Sequence, residues 1–299
     1  MRRVTVLGLT LLASVAAPSA AQVRIERGFP ATPDVTLRIF NLAGSTRVTA
    51  WDHDSIRVTG TVSPGGRFFG GGDRRMVKLG VEDPRGGLPA GNLEVWVPRR
   101  ARIWVKSASA YVAVTGVAGE LEVMSVTGAI RLDGAPRVAT LESIEGDVAV
   151  VGAATVLRVR TGGGSVRIDE VRGDLTVVTV SGSIAITSTE VLSARLETAS
   201  GGVTFQSGVA GDGRLGVDTH DGTVDLILPP SIDGRFDVAT VRGKLAVSLP
   251  GYRSKPGQDR SAVFATGKRS GAGGGIAVTV RSFSGQVRIG SNPATTGGI

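Results

Sequence analysis

Four acidic side chains, Glu197, Asp218, Asp221 and Asp225, are this chain's best provision for chemistry. Two carboxylates on neighbouring strands serve as a general acid and base, or share a Ca²⁺ ion through their oxygens. If the segments around Glu197 and Asp218 are neighbouring parallel strands, those two stand about 5 Å apart in one outward column. With Asp225 they would then form the acidic face of a carbohydrate-active enzyme of lyase or hydrolase type. The two histidines, His53 in WDHDS and His220 in DTHDG, both have aspartate neighbours. Aspartate beside a turn is ordinary turn chemistry, and one histidine without any cysteine is poor provision for zinc. We therefore expect no metal site and no cofactor. The chain has no G-x-S-x-G elbow, no Walker sequence and no dinucleotide-binding turn.

The elements that would hold these groups are written as a repeat. LTVVTVSGSIAI, from Leu175 to Ile186, is its cleanest copy, an aliphatic pair, then Ser or Thr, a turn, and a second aliphatic pair. The turn position falls at Gly44, Ala110, Gly128, Gly146, Gly164, Gly182, Gly201, Gly222, Gly243 and Gly285. From Ala110 to Gly182 the copies are 18 residues apart; the spacing then loosens to 19, 21 and 21, and 42 residues separate the last two. A period of this length with internal two-residue alternation predicts an all-β, single-chain parallel β-solenoid (β-helix) of about ten short rungs. Each rung buries its apolar face only against its neighbours.

Alternation places Leu175 and Val177 inward before the turn, and Ile184 and Ile186 inward after it. A smaller column seven residues past the turn, Val117, Ala135, Ala153 and Val171, suggests a third side and a triangular cross-section. The Ser/Thr position is inward and next to a corner, so its hydroxyls are expected to pair with turn amides and with one another. Glycine at the corner is expected to supply a positive φ.

Two segments interrupt the repeat. Residues 61–95 hold Gly and Pro clusters around a short strand, Val77 to Val81, and residues 251–275 form a basic, Gly-rich loop insertion. Aromatic residues gather early, at Trp51, Phe68, Phe69, Trp96, Trp104 and Tyr111. They would cap the exposed end of the solenoid, or offer an interaction surface of the kind that stacks on sugars.

The opening MRRVTVLGLTLLASVAAPSAAQ reads as a secretory signal peptide: two arginines, an apolar run from Val4 to Ala17, and small residues that favour cleavage after Ala21. The expected organisation is a signal peptide over 1–21, an N-terminal β region with its capping insertion over 22–102, solenoid repeats over 103–290 and a flexible tail over 291–299. A net charge of +8 falls to +6 once Arg2 and Arg3 leave. For an exported protein this argues for anionic envelope surfaces over nucleic acid. The complete absence of cysteine excludes disulfides and thiolate metal sites. No apolar run is long enough for a transmembrane segment.

The chain resembles the bacterial family of domains of unknown function described as β-strand-repeat putative adhesins. The resemblance rests on FNLAGSTRV (Phe40 to Val48) followed by Ala50-Trp51-Asp52. It continues in a strand ending in proline, LEVWVP (Leu93 to Pro98), and in the later T-x-S-G-x-I copies. It spans residues 35–290 and implies a parallel β-helical surface or periplasmic module without catalytic residues. The expected function is a secreted or periplasmic, non-enzymatic scaffold of the cell envelope. It would present a repetitive surface to an unknown envelope protein or glycan, or form a homo-oligomer through its solenoid ends. The acidic face of Glu197, Asp218 and Asp225 supports the enzymatic alternative.

Overall fold

The structure, a computed structural model, describes residues 22–253, 257–267 and 275–291. The expected signal peptide and residues 292–299 of the expected tail lie outside the described residues. Strands such as Glu120–Ser125 and Asp174–Thr179 alternate buried and outward positions as their sequences dictate. Parallel register then sets Leu121 beside Ala139 and Val123 beside Leu141, so the inward aliphatics form continuous columns. One core runs the length of the described chain. A rung's few buried aliphatics, worth roughly 1.5–3 kcal/mol each, do not offset ordering some 18 residues at about 1–2 kcal/mol each. The rungs are stable only as a stack.

The described residues form two sheets of thirteen strands each. Every rung contributes a strand to one sheet, turns a corner, contributes a strand to the other, and returns; we call these the pre-corner and post-corner sheets. Removing the antiparallel strands, two from each sheet, leaves eleven parallel strands per sheet and hence eleven rungs. The eleventh is the rung formed by strands Met76–Glu82 and Ala90–Pro98, within what the sequence presents as a loop and one short strand.

Rung order does not follow chain order at either end. The Met76–Pro98 rung lies outside the rung of Thr36–Phe40 and Ala43–Trp51, which therefore sits between it and the rung beginning at Arg102. At the far end, strand Ile276–Ser282 inserts between Arg214–Thr219 and Gly234–Thr240. Strand Val287–Ser291 likewise inserts between Val224–Leu228 and Leu245–Ser248. Among the described residues, the 42-residue gap thus contains a closing strand, Ser261–Thr266, and no further turn of the coil. Antiparallel strands form three of the four sheet edges: Val23–Pro30, Arg67–Gly72 and Ser261–Thr266.

The corner explains the two most regular columns of the sequence. Of the corner glycines only Gly44 has a positive φ, 95°. The others are required by close approach. A Cβ at Gly146, Gly164, Gly182, Gly201 or Gly222 would collide with the carbonyl oxygen of the corner residue one rung below. The same holds where rung order is permuted: Gly285 sits over Gly222, and Gly243 over Gly285. Inside this corner the Thr179 hydroxyl accepts the N–H of Gly182 at 3.0 Å and donates to the Gly162 carbonyl at 3.3 Å. Ser143, Thr161, Thr198, Thr219 and Thr240 accept from their corner glycines in the same way, at 2.9–3.1 Å. The hydroxyls therefore pair with backbone groups, as caps on the corner.

The third side of the rung is a return turn, not a sheet. Val117 and Val171 are buried as expected, whereas Ala135 and Ala153 are exposed and Pro136 and Ala154 take their places. The φ at the start of each turn decides this. At Gly116 (74°) and Glu170 (64°) the next residue swings inward; at Gly134 (158°) and Gly152 (125°) the inward step comes one residue later.

Because steric approach sets the corner, Gly182→Ala should cost about 2 kcal/mol or more. Gly163→Ala, where a Cβ meets only the Ser181 hydroxyl at 3.7 Å, should stay within about 0.5 kcal/mol of wild type. Guanidinium unfolding followed by circular dichroism measures both, and equal effects would refute the steric account.

Candidate functional site

The structure brings together two of the three carboxylates of the acidic face. Glu197 and Asp218 are register partners on strands Ser193–Thr198 and Arg214–Thr219, both facing outward from the pre-corner sheet. Arg195, two residues along its own strand, donates to Glu197. The chain then turns the corner at Gly222, which carries Asp225 to the outer face of the post-corner sheet on strand Val224–Leu228. There the Arg288 guanidinium grips it through two N–H groups, Nη2 lying 2.6 Å from Oδ2. Asp221 lies in the corner itself, accepting from Ser284 and 3.2 Å from His220 Nδ1.

Glu197 and Asp218 border an open groove of about 540 Å³. Its opposite wall is aromatic: His220 stacks on Phe283 with ring centroids 4.7 Å apart, and Arg242 lies 4.9 Å over the Phe283 ring. Arg281 stands next to Asp218 along the same column and is held by Asp237 at 2.6 Å. Sequence reasoning missed Arg281 and Phe283 because stacking in chain order puts the Gly234–Thr240 strand next to Asp218. The 42-residue interval was the one signal that the last copies need not stack in sequence. Two carboxylates beside an aromatic wall suit hydrogen bonding to a hydroxyl-rich ligand with an apolar face. Among the described residues, no group of three or more His, Asp or Glu side chains is placed to hold a metal ion.

The six early aromatics separate into four settings. Trp51 and Trp96 lie on the outer face of the post-corner sheet, 6.5 Å apart, with His53 edge-on to Trp51 at 4.8 Å and Arg57 over Trp96 at 5.8 Å. Phe69 and Trp104 lie on the outer face of the pre-corner sheet and both meet Phe40, at 6.5 and 5.1 Å; Lys78 stands 4.8 Å over the Phe40 ring. Phe68 packs with Phe29 against the core and caps the N-terminal end. Tyr111 is half-buried beside Ser45, just past a corner. Capping therefore describes Phe68, while four of the six form two small platforms on opposite faces, each beside a cation.

Electrostatic perturbation falls on surface carboxylates and on two of their arginine partners, Arg99 and Arg288. Hydrogen bonds from Ser284 and then His220 hold the Asp221 carboxyl below its ordinary value, and the Arg281 hydrogen bond does the same for Asp237. Arg99 lowers Asp52 on the Trp51 side. A carboxylate depressed in the native state contributes its stabilisation above the ordinary carboxylate range and loses it as pH falls through the native value. NMR titration should find Asp221 and Asp237 ionising below the ordinary carboxylate range. Ser284→Ala should raise Asp221 alone and Arg281→Ala should raise Asp237 alone; no response in either variant would remove the assigned causes.

No curated protein matches the chain. The crystal structure of a putative cell adhesion protein from Clostridium sporogenes is similar at 12% identity, with 91% of this chain and 100% of that chain covered and a TM-score of 0.24. A family model described as Toastrack DUF4097 matches residues 19–290. That match takes in every rung and both displaced end rungs, and by it the chain belongs to the Toastrack DUF4097 family, a domain of unknown function.

Proposed function

We propose that the protein is an exported, non-enzymatic, adhesin-like scaffold that presents the outer faces of a long two-sheet solenoid to a protein or glycan of the cell envelope. The observation that carries this reading is the division of labour among its polar side chains. The repeating hydroxyls are engaged in corner hydrogen bonds. Of the three carboxylates expected to act together, Asp225 stands on the opposite sheet from Glu197 and Asp218 and is already clamped by Arg288. Residues 1–21 would direct export and be removed with it, leaving the basic balance to favour anionic envelope surfaces.

A second reading has one observation in its favour, the adjacency of Glu197 and Asp218 in a groove walled by His220 and Phe283. In that reading the pair acts on a polysaccharide as acid and base. Incubation with a panel of envelope and extracellular polysaccharides separates the two. The scaffold reading expects retention of intact polymer and no shortening; polymer cleavage that disappears in Asp218→Ala would overturn it.

A further inference from the structure

Four of the ten large hydrophobic side chains exposed among the described residues lie close together on one line. Met124 (37% exposed), Val126 (43%), Ile144 (59%) and Val180 (61%) belong to two adjacent columns running along the corner, beside a groove of about 520 Å³. Exposed apolar side chains gathered along one line in this way mark a contact surface. Its pattern identifies the occupant.

Rung by rung, the outward position just before the buried Ser or Thr reads Lys106, Met124, Glu142, Arg160, Val178, Glu197. The position just after it reads Ala108, Val126, Ile144, Gly162, Val180, Ala199. Consider a two-fold axis perpendicular to the stack, passing between the Glu142 and Arg160 rungs. It sets Lys106 against Glu197, Met124 against Val178 and Glu142 against Arg160. In the second column it sets Ala108 against Ala199, Val126 against Val180, and Ile144 against the notch left by Gly162. Each charge in these two columns thus meets its opposite, Met124 and Val126 meet valines, and Ile144 meets the Gly162 notch. The next outward column places Trp104, Glu122 and Thr140 opposite Arg195, Thr176 and Arg158, with no like charges facing. Self-complementarity of this kind is what an isologous dimer requires. A parallel pairing about an axis running along the first column would instead face Lys106, Glu142 and Arg160 each with itself, and like charges in contact are costly.

We propose that two copies of the chain associate antiparallel along this corner, about a two-fold axis between the Glu142 and Arg160 rungs. This goes beyond the scaffold reading and does not rest on it. Three of the four sheet edges already end in antiparallel strands, which favours the corner over the ends as the contact. The existing Arg160–Glu142 hydrogen bond of 3.1 Å joins its symmetry mate in a ring of four charges. Six rungs span roughly 25–30 Å. Two columns of that length bury less than the roughly 800 Å² per partner of a standard interface. The dimer is therefore weak and forms where copies are concentrated.

The cysteine-free chain makes the test direct. Val126→Cys and Val180→Cys proteins are oxidised separately and as a mixture, then resolved on non-reducing gels. The antiparallel dimer predicts a dominant mixed disulfide in the mixture. Each protein alone stays uncrosslinked, because its two copies of the cysteine lie about 14 Å apart, three rungs. Self-crosslinking of each protein alone would indicate a parallel pairing, and no crosslinking at all would indicate a monomer or a different occupant; either overturns the proposal. In sedimentation velocity, Glu142→Arg and Arg160→Glu should each weaken wild-type association about tenfold or more, and the double exchange should restore it. All variants should melt as wild type, since these side chains lie outside the core. A wild-type protein that stays monomeric at hundreds of micromolar, or a double exchange without rescue, would also overturn it.

Discussion

The whole stack depends on how closely successive corners approach. At each corner glycine from Gly128 onward the backbone of one rung rests on the carbonyl of the rung below, leaving no room for a Cβ. That approach buries a turn N–H, and a buried donor must find a partner. The Ser or Thr three residues earlier supplies it and, at Thr179 and Thr240, also returns a hydrogen bond to a carbonyl of the neighbouring rung. Glycine and hydroxyl are thus two halves of one solution. Remove the approach and the inward aliphatics would no longer meet their counterparts at strand spacing, which is the only source of a core in rungs this short.

The permuted rungs at both ends follow from the other constraint on a parallel stack, its edges. A terminal rung exposes unpaired backbone on both sheets. Here the chain passes its terminal rung, adds strands beyond it, and returns to complete an inner position. The excursion through residues 52–98 lays down strands Ser55–Val62 and Arg67–Gly72 along with the outermost parallel rung. The C-terminal excursion lays down Ser261–Thr266 before Ile276–Ser282 fills the gap left beside Arg214–Thr219. The same manoeuvre that covers an edge carries Arg281 and Phe283 to Asp218 and His220.

The inward columns and the corner were legible in the sequence because translation along the stack repeats them: Leu157, Leu175 and their counterparts obey one rule. Rung order was not legible, since periodicity identifies copies but not neighbours, and SFSGQVRI fits the slot above THDGTVDL as well as that above TVRGKLAV. The return turns failed for a local reason, a φ difference between Gly116 and Gly134 that both glycines accommodate without any change of residue type. The carboxylate face was half legible. Parity placed Glu197 and Asp218 correctly together, but a column count alone does not register that the corner between Thr219 and Val224 reverses the outward direction for Asp225. The aromatics follow alternation strictly: Phe68 and Phe69 are adjacent and so point to opposite sides, one to the core and one to solvent.

The outward columns carry information that the fold does not need. A core column asks every rung for the same kind of residue and has no reason to read alike from both directions. The order Lys106, Met124, Glu142, Arg160, Val178, Glu197 is compatible with duplication of three rungs as well as with a two-fold axis. The neighbouring column distinguishes them. Duplication asks Ala108, Val126, Ile144 to match Gly162, Val180, Ala199 in the same order, and sets Ile144 against Ala199 as equivalents. Reversal matches Ala108 with Ala199 and Val126 with Val180, leaving Ile144 and Gly162 as a knob and its notch. Only a relation between two surfaces turns a large residue and a missing one into a pair, which is why the reversed reading accounts for both columns at once.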